Sequence, residues 1–267
     1  MSGALESLKE AKRIVVKVGT STLTHDTGSM NLRRVETLAR VIADLRNSGR
    51  EIVLVSSGAI GVGIGKLGLP EAARGTKEKQ AYSAIGQSEL MGIYGRLFSE
   101  YGCGVAQVLL TKNVLEDAVR KENAVNTFDT LLKWGVIPIV NENDVISTEE
   151  IEFGDNDTLS AFVASIIGAQ ALIILSDIDG LYSADPRTDS SAKLVEQVDE
   201  VTDELLSTAS GAGTRRGTGG MVTKLLAARR ATAHGVNMVI ANGKDPRIVY
   251  DILDGKRTGT LFRAKGQ

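Results

Sequence analysis

Ile14-Val15-Val16-Lys17-Val18-Gly19-Thr20-Ser21 sets a short apolar run, in which four of the first five residues are Ile or Val, against an abrupt polar end. Consecutive β-branched residues suit a pleated strand, and apolar character on both faces marks a strand covered from two sides. The pattern returns in Ile52 to Val55, Val105 to Leu110, Val136 to Val140, Leu172 to Leu175 and Val236 to Ile240. Between these runs lie helical patterns. Leu32, Val35, Leu38, Ala39, Ile42 and Leu45 repeat at three- and four-residue steps and stop at Gly49. Such alternation predicts an α/β fold with a mostly parallel sheet, in which ligands bind at the carboxyl ends of strands.

The strand ends are where polar residues collect. Lys17 to Ser21, Ser56-Ser57-Gly58-Ala59, Asn141-Glu142-Asn143-Asp144 and Ser176-Asp177 each follow an apolar run. One polar end means only that a chain must turn; four together point to a site. Lys17 is the most informative of these residues. An ammonium at the end of a buried strand needs an anionic partner or a route to water, because unpaired burial costs several kcal/mol. Gly19 and Thr20 favour a phosphate, since backbone and hydroxyl donors can converge there; snorkelling from a sheet edge is the plainer reading.

Ser210-Gly211-Ala212-Gly213-Thr214-Arg215-Arg216-Gly217-Thr218-Gly219-Gly220 is the most glycine-dense stretch, and an amphipathic helix from about Met221 to His234 follows it. Glycines let backbone N–H groups approach an anion, the helix start adds its positive dipole end, and Lys224 brings a full charge one turn inside. That composition suits a polyphosphate, with a lobe connector and a solvated lysine as the alternative. Gly154-Asp155-Asn156-Asp157 opens another helix after a polar, hairpin-like segment from Val145 to Phe153. One of these residues caps the helix. Asn156 could donate to a substrate carboxylate, and Asp157 could hold cationic groups in position.

Composition removes whole classes of function. The 267 residues are 42% hydrophobic and 24% charged, which suits one globular domain or two joined lobes, with the lobe boundary expected near residue 170. Lys plus Arg is 31 against 33 for Asp plus Glu, so no excess of positive charge attracts nucleic acid. The single Cys103 excludes an intrachain disulfide and a multi-cysteine zinc site, and fits a reducing compartment. Met1 to Arg13 has no apolar core of signal-peptide length, so a cytoplasmic location is expected. Asp157 to Asp177 encloses no charged residue, yet Ser160, Ser165, Gly168 and Gln170 interrupt it. It reads as a helix to about Ile167, a turn over residues 168–170 and a strand from Ala171 to Leu175, not as a membrane span.

Familiar motifs fail in context. Gly63-Ile64-Gly65-Lys66-Leu67-Gly68 matches the dinucleotide pattern formally, but it starts well after the strand ends at Val55 and lacks the following acidic residue. A glycine-spaced helix packed closely on the sheet is the better reading. Leu67 after Lys66 breaks a P-loop, Val55 and Ala59 break a nucleophile elbow around Ser57, and His25 and His234 have no metal-ligand spacing.

In chain order, Lys17-Val18-Gly19-Thr20-Ser21, Val55-Ser56-Ser57-Gly58-Ala59-Ile60, Ala84-Ile85-Gly86-Gln87-Ser88, Pro138-Ile139-Val140-Asn141-Glu142-Asn143-Asp144, Phe153-Gly154-Asp155-Asn156-Asp157, Gly180-Leu181-Tyr182-Ser183-Ala184-Asp185-Pro186-Arg187 and Gly217 to Lys224 resemble the glutamate 5-kinases of the amino-acid-kinase family. The resemblance runs from about Lys12 to Phe262. It implies a three-layer αβα sandwich, with an acceptor-binding lobe over about 1–170 and a nucleotide-binding lobe over about 171–267. Ser57, Asp144 and Asn156 would bind glutamate. Lys17, Ser176, Asp177 and the stretch Thr218, Gly219, Gly220, Met221, Val222, Thr223 and Lys224 would bind ATP. Lys17 and Lys224 would stabilise the transferring phosphoryl group, with Asp157 organising them. Ser176 stands where many relatives have Thr, and the chain stops at Gln267, where many relatives continue into a PUA domain; a compact form is therefore expected.

The implied reaction is ATP-dependent phosphorylation of the glutamate side-chain carboxylate, the first step of proline biosynthesis. The carboxylate is already ionised at neutral pH, with an ordinary pKa of about 4.3, so a site without histidine is expected. Mg²⁺ would ride on the ATP phosphates, without a protein ligand. Asp144 would match a free α-ammonium and disfavour N-acetylglutamate. The resemblance further implies proline as feedback inhibitor, self-association, and a glutamyl phosphate reductase as the candidate consumer of the product. An N-acetylglutamate kinase, another kinase of the same fold, and a non-catalytic amino-acid or nucleotide sensor are the competing readings.

Overall fold

The computed structural model describes residues 2–25, 29–68, 75–111, 113–146, 155–186, 188–210 and 220–265. The first elements are α1 (Ser2–Glu10), β1 (Arg13–Val18), α2 (Thr20–Leu23), α3 (Leu32–Asn47), β2 (Glu51–Ser56), α4 (Ala59–Leu67) and α5 (Thr76–Ser99). Then come β3 (Val105–Leu110), α6 (Asn113–Glu116), α7 (Ala118–Lys133), β4 (Ile137–Glu142), α8 (Asn156–Ile166) and β5 (Ala171–Ser176). The chain finishes with β6 (Gln197–Val198), α9 (Asp203–Ser210), α10 (Met221–Ala233), β7 (Asn237–Asn242), α11 (Ile248–Leu253) and β8 (Thr260–Phe262).

Two compact units emerge, Val18–Phe153 and Met1–Lys17 with Gly154–Gln267. The division falls at residues 17/18 and 153/154, away from the boundary expected near 170. The reason is packing: α8, which precedes residue 170, packs against α10, and its buried face carries Leu159, Phe162 and Val163. An apolar helix of that kind stays with the partner that covers it.

In the unit Val18–Phe153 the strand order is β3-β4-β2, with both pairings parallel. The register Val55↔Val140 and Leu110↔Glu142 brings the carboxyl ends of all three strands together. In the other unit the order is β1-β5-β7-β8-β6, with β5 and β7 parallel from Ala171↔Asn237 to Ser176↔Asn242. The short β8 runs antiparallel to β7. β1 is tied to the start of β5 by Gln170, whose Oε1 accepts from the Arg13 N–H at 2.7 Å, while Arg13 Nη1 donates to the Ile167 carbonyl at 2.6 Å.

All six strands read from the apolar runs are present, and the stretch 157–177 is helix, turn and strand as expected. Among the described residues no helix is long and apolar enough to cross a membrane. The glycine motif at 63–68 lies on α4, where a Cβ on Gly63 would stand 2.0 Å from the Tyr82 carbonyl oxygen. The close partner is therefore α5 and not the sheet. The segment 147–154 and the loop 211–219 lie outside the described residues.

Candidate active site

Lys17 sits at the carboxyl end of β1, Asp157 in the first turn of α8, and Lys224 in the first turn of α10. Asp155 caps α8, accepting the Thr158 N–H at 2.9 Å, and thereby fixes the turn that carries Asp157. Lys17 Nζ lies 2.7 Å from Asp157 Oδ1, and Lys224 Nζ lies 3.1 Å from Oδ2. Thr223 Oγ1 donates to the same Oδ2 at 3.5 Å and to the Gly220 carbonyl at 2.8 Å. The lysines are 7% and 5% exposed and Asp157 is fully buried. Burial alone would push the Asp157 carboxyl up, but the charges of Lys17 and Lys224, with their hydrogen bonds, hold it below the usual carboxylate range. Lys17 thus has a buried anionic partner, and snorkelling is not its role.

These three groups together carry one positive charge in excess, next to the N-terminus of α10. Gly220 caps that helix without a side-chain hydrogen bond, so the first-turn N–H groups of Met221, Val222 and Thr223 receive no side-chain acceptor from their cap. Excess positive charge and a helix N-terminus are both suited to an anion. Thr218 and Gly219 lie outside the described residues. In the same unit, Ser176 ends β5, buried, and donates to the exposed Asp177 at 3.1 Å. Asn156 is the first residue of α8 and half-buried.

Ser57 and Asp144 belong to the other unit, just beyond the carboxyl ends of the paired strands β2 and β4. Ser57 donates its backbone N–H to the Val18 carbonyl at 3.0 Å, and Gly58 then takes φ +100° to start α4, a conformation that suits glycine. Asp144 accepts a hydrogen bond from Ser83 Oγ on α5 at 2.7 Å. Partial burial raises its carboxyl above the ordinary value, and the Ser83 hydrogen bond pulls it partly back. Sequence reading had passed over Ser83. A polar signal was nonetheless there, since Ser83 and Gln87 are spaced four apart on one helix and both prove buried.

His25 is exposed, and His234 caps the end of α10, its Nδ1 2.9 Å from the Arg230 carbonyl. Among the described residues no three His, Cys, Asp or Glu side chains gather as metal ligands.

Parallel strands with polar carboxyl ends, and a buried lysine pair held by one carboxylate beside a helix N-terminus, define an anion-handling α/β protein. The profile of the amino acid kinase family matches residues 12–242, and the chain belongs to that family. It is 58% identical to the glutamate 5-kinase of Clostridium perfringens over 264 residues, covering 97% of this chain and 98% of that one. Identity to the glutamate 5-kinase of Listeria innocua is 51% over 264 residues, covering 97% and 96%. Solved structures share the fold at low identity. A UMP kinase from Bacillus anthracis superposes with a TM-score of 0.63 at 18% identity, covering 96% of this chain and 97% of that one. An isopentenyl phosphate kinase from T. acidophilum gives 0.64 at 16%, covering 94% and 100%.

Proposed function

We infer that this protein transfers the γ-phosphoryl group of ATP to the side-chain carboxylate of L-glutamate, forming L-glutamyl 5-phosphate and ADP, the first step of proline biosynthesis. The observation that carries the reading is the Lys17–Asp157–Lys224 cluster, read beside full-length relatives named as glutamate 5-kinases. The attacking oxygen belongs to an ionised carboxylate, so a bond forms to the γ-phosphorus as the bond to the bridging oxygen breaks, and no proton has to move. The barrier lies in bringing a carboxylate against a triphosphate. Lys17 and Lys224 offset that repulsion, the N–H groups that open α10 receive phosphate oxygens, and Asp157 keeps both ammonium groups in place before substrate arrives. Mg²⁺ enters with ATP as part of the substrate.

In this reading the unit with β2, β3 and β4 takes the acceptor, through Ser57 and Asp144, and Asn156 donates to a glutamate carboxylate. Ser176, Asp177 and the stretch from Thr218 to Lys224 take the nucleotide. Asp144 selects the free amino acid because its carboxylate matches an α-ammonium and leaves an N-acetyl amide without a counter-charge. Proline carries the same ammonium and α-carboxylate pair, which supports feedback inhibition at the acceptor site. Self-association and a cytoplasmic setting complete the proposal; the lone Cys103 suits a reducing compartment.

The test is γ-glutamyl hydroxamate formation from glutamate, hydroxylamine, ATP and Mg²⁺, with N-acetylglutamate and aspartate alongside and proline titrated in. Activity confined to glutamate is expected. Activity on N-acetylglutamate alone would establish the other kinase, and ATP binding without turnover on any acceptor would establish a sensor.

A further inference from the structure

α5 turns two polar side chains inward. Ser83 is fully buried and Gln87 is 8% exposed, on a helix whose other buried positions include Leu90, Tyr94 and Phe98. A buried hydroxyl is costly without a partner, and alanine would fill the same space on a helix without that cost. Ser83 has a partner: its Oγ donates to Asp144 Oδ2 at 2.7 Å, a contact between residues 61 positions apart. Gln87, one turn on, accepts from Gln107 Nε2 of β3 at 3.1 Å. The two contacts fasten one face of α5 to the middle of β3 and to the segment that follows β4.

We propose that Ser83 is a positioning and specificity residue for the amino-acid acceptor: its hydroxyl occupies Oδ2 of Asp144 and orients the carboxylate so that Oδ1 meets the substrate ammonium. The proposal rests on the glutamate-kinase reading above. Asp144 follows β4 on an irregular segment, two residues past the last strand position, so β4 itself does not fix its side chain. α5 does, because Ser83 lies on a 24-residue helix whose Gly86 abuts the α4 backbone so closely that a Cβ would fall 1.7 Å from the Ala59 carbonyl oxygen. A hydroxyl on so tightly seated a helix is a fixed donor. The same hydrogen bond favours the ionised carboxylate, the form that attracts an ammonium.

The experiment is a double-mutant cycle on the full chain with Ser83→Ala and Asp144→Asn, reading KM for glutamate, KM for ATP and kcat. Ser83→Ala should raise KM for glutamate about 10-fold or more, the loss expected for one hydrogen bond to a charged group, and leave KM for ATP and kcat within about twofold. In the Asp144→Asn background the same substitution should add nothing. An unchanged KM for glutamate, equal losses in both KM values and kcat, or full additivity in the cycle would each overturn the assignment. Ser83→Cys, similar in size with a weaker donor, should fall between wild type and Ala, and it replaces Ala in the cycle if that variant does not fold. A wild-type chain that turns over no glutamate at all would instead remove the underlying kinase reading.

Discussion

Lys17 and Asp157 form a 2.7 Å ion pair in which the carboxylate is fully buried and the lysine side chain is 9% exposed. The second oxygen of that carboxylate is engaged by Lys224, so removing either lysine leaves Asp157 with one cation. The fold should therefore survive Lys17→Ala or Lys224→Ala while the electrostatic work fails. Each substitution is expected to lower kcat by about 10²-fold or more, the loss typical of removing a preorganised charge stabiliser. Hydroxamate assays at saturating substrates check this, and wild-type rates in either variant would remove that lysine from the mechanism.

Asp157→Asn should behave differently, because it leaves two nearly buried ammonium groups without their shared counter-charge. Breaking a buried pair in this way destabilises by about 3–5 kcal/mol, and the urea midpoint should fall accordingly. The pH dependence has a definite sign. The folded carboxyl is held below its ordinary value, so its contribution is fully present above the unfolded pKa of about 3.9 and is lost as pH falls through the folded value. Wild type and variant should thus differ by a constant amount near neutrality and converge only in strong acid. Convergence at neutral pH would contradict the ion-pair account.

Much of this arrangement was legible before any coordinates. Runs such as Ile14 to Val18 and Val236 to Ile240 read as buried strands, and a lysine inside one of them called for an anion or a route to water. Asp157 could be suspected as that anion because three polar residues exceed what one helix cap needs, and Asp155 alone turns out to cap α8. The grouping of Asp157 with Lys17 and Lys224 was legible only through the family resemblance, since the residues are far apart in sequence and no spacing links them. β6 and β8 escaped notice for a local reason: two and three residues are too few to show a period. Ser83 was missed because its four-residue spacing from Gln87 marks a shared helix face but not that the face is buried. The division at 153/154 could not be read from the sequence, because periodicity reveals that α8 is apolar, not that α10 is its partner.

The close approach of α4 and α5 yields a prediction about glycines that separates packing from ligand binding. A methyl group on Gly63 would meet the Tyr82 carbonyl oxygen at 2.0 Å, and one on Gly86 would meet the Ala59 carbonyl oxygen at 1.7 Å. Both neighbours are backbone and cannot swing aside. Gly63→Ala and Gly86→Ala should each destabilise by at least the 1–3 kcal/mol typical of overpacking, seen as a lower thermal midpoint. Gly68→Ala, with open space around its Cβ but φ +63°, should cost only the roughly 1 kcal/mol of a left-handed alanine. Equal stability across all three would mean that α4 and α5 are farther apart than described.

The carboxyl of Asp144 is shifted in the opposite direction to that of Asp157, and this separates Asp144 from the lysine cluster in a single pH series. Burial raises its carboxyl above the ordinary value, with Ser83 only partly offsetting the rise. Folding therefore favours its protonated form, and that contribution to stability is present below the unfolded pKa and fades as pH climbs through the folded one. For catalysis the consequence is reversed, since only the ionised form attracts an ammonium. Lowering the pH toward the raised folded value of Asp144 should raise KM for glutamate, and the Asn variant separates this from protonation of the glutamate side chain itself, whose ordinary pKa is about 4.3. Asp144→Asn should raise KM for glutamate about 30-fold or more at neutral pH, as expected when one partner of a partly buried charge pair is removed, and should flatten the pH dependence. If KM for glutamate in the Asn variant still climbs with acid as it does in wild type, the titrating group is not Asp144, and the ammonium is held elsewhere.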